Sequence, residues 1–98
     1  MDNLNLLTII AEEALAASIE KVIIEMGAKG FTFSTVSGKG QTGLRDNQWE
    51  GENIKIETIT SESNCKKILD ELQVKYFDRY ALIAFYHSVN VVRTGRFI

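Results

Sequence analysis

Ninety-eight residues, 45% apolar and 24% charged, set the expectation of one small globular domain spanning 1–98 and exclude a disordered chain. A formal net charge of −2 offers no bulk field to nucleic acid or to an acidic membrane. No run of ~18 apolar residues exists to cross a bilayer, and a single cysteine and a single histidine cannot build an internal disulfide or a metal cluster.

Leu4 to Ala11 is short, apolar and β-branched toward its end, as a strand buried on both sides would be. Glu12 and Glu13 follow, where carboxylates favour a helix N-terminus. Leu15, Ile19, Val22, Ile23 and Met26 recur at three and four positions, which predicts a helix over Glu13–Met26 with one apolar face. Gly27 supplies the left-handed residue that ends it, and Gly30 makes the turn into the next strand.

Phe31 to Ser37 reads as a strand with Phe31, Phe33 and Thr35 on one face and Thr32, Ser34 and Val36 on the other. Its hydroxyl-bearing face lines either a polar crevice or solvent. Asn53 to Thr60 alternates strictly, with Ile54, Ile56, Thr58 and Thr60 opposite Lys55, Glu57 and Ile59. Ser61 or Ser63 caps a second helix. Its stripe of Ile68, Leu69 and Leu72, flanked by Cys65 and Tyr76, runs toward Phe77. Ala81 to Val92 is the last strand, with Leu82, Ala84, Tyr86 and Ser88 opposite Ile83, Phe85, His87 and Val89.

Between the second and third strands lie Gly38 to Glu52, holding four of the seven glycines and the only tryptophan. Some 15 residues far exceed the ~2–5 that a hairpin needs, and loops that long in a compact domain carry function. The element order β-α-β-β-α-β predicts an α+β fold, a ferredoxin-like plait with two helices on one face of an antiparallel sheet. A chain this short buries only about 60–65% of its unfolded surface, so covering the sheet's other face by self-association suits it.

Gly38-Lys39-Gly40 at a strand end lets backbone amides approach an anion, or acts as a plain hinge. Arg45, Arg93 and Arg96 carry the fork that suits phosphate, or are solvated surface charge. Arg79 pairs with Asp78 or caps a helix end. Trp49 is a docking anchor or folds back on its own domain. His87 reads as core or subunit contact, and Cys65 has no paired base that would make it a nucleophile.

The Gly-Ala-Lys-Gly-Phe-Thr at Gly27–Thr32, Ser37–Gly40 with Arg45 beyond it, Asn53–Glu57, Lys75–Tyr80 and Val91–Gly95 together resemble the PII-like signalling proteins, nearest the bicarbonate-transporter and carboxysome-associated branch. The resemblance covers nearly the whole chain. It implies a cytoplasmic homotrimer, not an enzyme, that holds an adenine nucleotide in clefts between subunits and needs no metal. The long loop becomes the family's T-loop, which docks on a membrane transporter or a metabolic enzyme. Carried over by position, Thr32, Glu57 and Ile59 line the adenine pocket. Gly38, Lys39 and Gly40 sit at the base of the T-loop beside the phosphates, which Arg45 and Arg93 reach. Leu44 and Trp49 are the loop's docking residues. Lys75–Tyr80 lacks a glycine-rich B-loop and Val91 stands where many members have a further arginine, so the resemblance implies AMP or ADP over ATP, with cyclic AMP a further adenine ligand. The competing readings are a small plait enzyme of the acylphosphatase type using Arg45 and Asn47, and a trimer binding another ligand or a metal at its interface.

Overall fold

In the computed structural model, residues 2–38 and 51–92 are described. β1 (Asp2–Glu12) leads through a 3-10 turn (Glu13–Leu15) into α1 (Ala16–Glu25), followed by β2 (Thr32–Gly38) and β3 (Gly51–Thr60). Then come α2 (Glu62–Lys75) and β4 (Leu82–Val91). The four strands form one antiparallel sheet in the order β2-β3-β1-β4, the ferredoxin-like plait that the element order predicts.

Register and alternation decide what the sheet buries. Ile9 stands opposite Ile56 on one side and Ala84 on the other, and Leu7 stands opposite Thr58 and Tyr86. Residues directly across an antiparallel pair share a face. That face meets Ile19, Val22 and Ile23 of α1 and Cys65, Ile68 and Leu72 of α2, and all of these side chains are essentially inaccessible to solvent. The opposite face carries Leu6, Thr8 and Ile10 of β1, in line with Ile59, Glu57 and Lys55 of β3 and with His87, Phe85 and Ile83 of β4. Ile83 and Phe85 are each 47% exposed there.

α1 ends in a Schellman motif. The Ala28 N–H donates to the Ile23 carbonyl (3.2 Å), the Gly27 N–H donates to the Ile24 carbonyl (3.1 Å), and Gly27 sits at φ 110°. Gly30, by contrast, turns the chain without a positive φ. α2 opens on Ser61, whose Oγ accepts from the Asn64 N–H at 3.1 Å; Ser61 and not Ser63 is the cap. The Asn64 side chain donates in turn to the Thr60 hydroxyl at 2.9 Å, tying the end of β3 to the start of α2.

Three local expectations need adjustment. The helix after β1 starts as a 3-10 turn, and Glu12 at its N-cap makes no side-chain capping bond. α2 stops at Lys75, so Phe77 lies past the apolar stripe and is 40% exposed, while Tyr76 packs on the core and meets Tyr80 edge-on at 6.0 Å. His87 is exposed on the sheet face opposite the helices, with its Nδ1 3.2 Å from the Ser88 carbonyl, and takes no part in the core.

Candidate functional site

Past the Schellman turn, residues 28 to 31 run alongside the end of β3. The Thr58 hydroxyl donates to the Gly30 carbonyl at 2.6 Å and pins this segment to the sheet. Ala28 is buried beneath it and Phe31 packs against the core. A cleft of about 500 Å³ opens beside this segment, on the sheet face opposite the helices. Lys29, Gly30 and Phe31 of the segment line it, together with Thr32, Glu57, Thr58, Ile59 and Leu6 of the sheet.

Strand register explains that gathering. Thr32 of β2 lies opposite Glu57 of β3, Glu57 lies opposite Thr8 of β1, and Ile59 lies opposite Leu6. A polar row across three strands thus runs beside an apolar pair on β3 and β1, one suited to hydrogen bonding and the other to a flat apolar ring. The Glu57 carboxylate is half-buried and accepts from the Thr8 hydroxyl at a long 3.5 Å, so among the described residues most of its hydrogen-bonding capacity remains open.

Of the residues singled out from the sequence, Thr32, Glu57 and Ile59 come together in this cleft. Gly38 does not. It ends β2 opposite Gly51, six residues beyond Thr32, or about 20 Å away at ~3.3 Å per strand residue. Lys39, Gly40, Leu44, Arg45, Trp49 and Arg93, and Asn47 of the enzyme reading, lie outside the described residues. Sequence reasoning passed over Leu6, Lys29, Phe31 and Thr58. The last three fall in or near quoted motifs, but Leu6 is reached only through the β1–β3 register.

Cys65 is fully buried on α2, and that burial, with the Glu62 carboxylate adding to it, pushes its thiol up to about 11. A thiol that is inaccessible and protonated at neutral pH makes no nucleophile. The native protein therefore resists alkylation by iodoacetamide at pH 8, whereas the urea-unfolded chain reacts promptly. Because the folded value lies above the ordinary 9.0, the stability gained from keeping the thiol neutral is complete below about pH 9 and is lost as pH rises toward 11. Rapid native labelling would show that α2 opens readily. Arg79 donates to the Lys75 carbonyl at 3.5 Å, placing its cation at the C-terminus of α2. Among the described residues no group of three or more His, Cys, Asp or Glu side chains is placed to hold a metal ion, and no helix is long and apolar enough to cross a membrane.

The family model for nitrogen regulatory protein P-II matches residues 4–96. The chain belongs to the P-II family. Among solved structures, a PII-like signalling protein from Thermus thermophilus is 42% identical, with both chains covered in full and a TM-score of 0.84. CPII from Thiomonas intermedia, solved with ADP and bicarbonate, is 27% identical over 99% of this chain and 96% of its own, with a TM-score of 0.86. The same protein with ADP, AMP and acetate matches over 97% and 94%, with a TM-score of 0.84. For a P-II chain, the long connection between β2 and β3 occupies the position of the T-loop.

Proposed function

We infer that this P-II chain is a regulator, not an enzyme, and that it senses AMP or ADP and signals through its T-loop. The observation that supports this most is the cleft uniting Thr32, Glu57 and Ile59, on a fold shared with a relative solved with ADP and AMP. Glu57 accepts donors from the ligand, Ile59 and Leu6 offer an apolar bed for the base, and Thr32 adds a hydroxyl. Gly38, Lys39 and Gly40, with Arg45 and Arg93, hold the phosphates, and Leu44 and Trp49 dock on a transporter or metabolic enzyme in the cytoplasm. ATP and cyclic AMP are weaker candidates in this scheme, and no metal is needed.

The ~20 Å between Thr32 and Gly38 supports placing the site between subunits, since a second copy can bring its own strand end to a nucleotide seated in the cleft. The sheet face opposite the helices points the same way: Ile83 and Phe85 stand half-exposed across from Ile10 and Thr8, and an apolar face on a thin-cored chain gains by being covered. Three copies of one domain, 1–98, then make the unit. A ligand acts on the T-loop only through different affinities for its conformations.

Isothermal titration with AMP, ADP, ATP and cyclic AMP at about 100 µM chain, combined with light scattering, tests both halves. The expected result is micromolar binding of AMP or ADP by a particle of three times 11.0 kDa. No heat with any adenine nucleotide would refute the sensing role, and a particle of 11.0 kDa would refute the shared cleft.

A further inference from the structure

We propose that Lys29 is a further cation that reads the phosphate of an adenine nucleotide in the cleft, an assignment that rests on nucleotide binding there. The residues lining the cleft include one carboxylate, Glu57 on β3, and one ammonium, Lys29 on the segment after α1. Neither forms an ion pair with a described residue, so the two charges border one cavity of about 500 Å³ without neutralising each other. Lys29 is exposed, yet its backbone is fixed on both sides. Ala28 before it is buried and bonded back to Ile23, and Gly30 after it is held by Thr58 at 2.6 Å. A fixed Cα carrying a long side chain, with no ion pair among the described residues, is a suitable mount for a point charge that swings onto a phosphate.

A carboxylate and an ammonium that line one cavity, neither ion-paired among the described residues, select a ligand that carries both hydrogen-bond donors and an anion. A nucleoside monophosphate meets that description: the donor set of its base, the exocyclic amine, serves Glu57, and its phosphate serves Lys29. Adenosine offers the first set alone. Lys29 thus separates nucleotide from nucleoside, a task that the family resemblance assigns to Arg45 and Arg93.

The test compares AMP, ADP and adenosine on wild type and Lys29→Met, which keeps the apolar stem and removes the charge. The variant is expected to bind AMP and ADP about 10-fold more weakly, to bind adenosine as wild type does, and to show a shallower salt dependence for AMP. Lys29→Arg is expected to restore most of the loss. The ligand-free melting temperature stays unchanged because the side chain is exposed. Equal weakening of AMP and adenosine, or no weakening of either, overturns the assignment. Wild-type protein that binds adenosine but no phosphate-bearing ligand more tightly also overturns it. Wild-type protein that binds no adenine compound at all refutes the nucleotide reading itself, and the assignment falls with it.

Discussion

Gly27→Ala is expected to cost about 3 kcal/mol of folding stability, from two separable causes. At φ 110° the backbone of residue 27 is open to glycine and strained for any residue with a Cβ, a penalty of ~1–3 kcal/mol. An added Cβ would also lie 2.9 Å from Asn64 Nδ2 and 3.0 Å from Asn64 Oδ1. Asn64 could swing away only by giving up its 2.9 Å bond to the Thr60 hydroxyl, which is fully buried. The end of α1 and the start of α2 are therefore locked through one glycine and one amide. Urea unfolding at fixed chain concentration measures the loss, which is large beside the ~5–15 kcal/mol that holds a typical domain together. A double-mutant cycle with Asn64→Ala isolates the clash: the pair should cost roughly 1 kcal/mol less than the two single variants added together. A loss below about 1 kcal/mol for Gly27→Ala, or strict additivity in the cycle, would show that the two helices are not coupled at this point.

That glycine illustrates what a one-dimensional reading captures. A helical stripe ending on Met26 with Gly27 next to it identifies a helix stop because the requirement is local. The strict alternation of Ile54, Ile56, Thr58 and Thr60 likewise identifies the buried face of β3, and all four are buried. The plait follows from the order of such elements, since few topologies accommodate β-α-β-β-α-β. Finer local choices escaped where two candidates met the same rule. Ser61 and Ser63 both precede helical residues, and the Asn64 N–H decides between them. Phe77 continues the apolar spacing of α2, but the helix has already ended at Lys75, which spacing alone does not register.

The cleft was legible only through family resemblance. Alternation in β2 left Thr32 facing either a crevice or solvent, because β2 is an edge strand and nothing within it says what lies opposite. Glu57 looked like an ordinary outward carboxylate in a half-buried strand. Leu6 joins the cleft because β1 pairs with β3 in a register that sets it across from Ile59, and Lys29 joins because the Thr58 hydroxyl, far along the chain, holds the neighbouring carbonyl. These are long-range consequences of folding, absent from any window of sequence. His87 shows the converse. The pattern placed it correctly on a strand face, but which face the helices cover is settled by packing, and His87 is on the other one.

The carboxylate of Glu57 offers the sharpest test of the nucleotide reading. Glu57→Ala is expected to weaken ADP and AMP binding by roughly 30-fold while the chain still folds. The side chain's one hydrogen bond to a described residue, from Thr8, is 3.5 Å long, so removing it costs the apo protein little. Bonds from a ligand to an ionised acceptor are worth ~1.5–3 kcal/mol, which converts to about 10- to 100-fold in affinity. Glu57→Gln keeps the shape and one accepting oxygen, so it should fall between wild type and the alanine variant. Adenosine should lose as much as ADP does, because Glu57 meets the donor end of the ligand and not its phosphate. This pattern differs from that expected for Lys29, whose removal leaves adenosine binding unchanged, so titrating the same three ligands into both variants tells the two ends of the cleft apart. Should Glu57→Ala bind ADP as tightly as wild type, with its melting temperature unchanged, the adenine end lies elsewhere and the cleft beside Thr32 is not the nucleotide site.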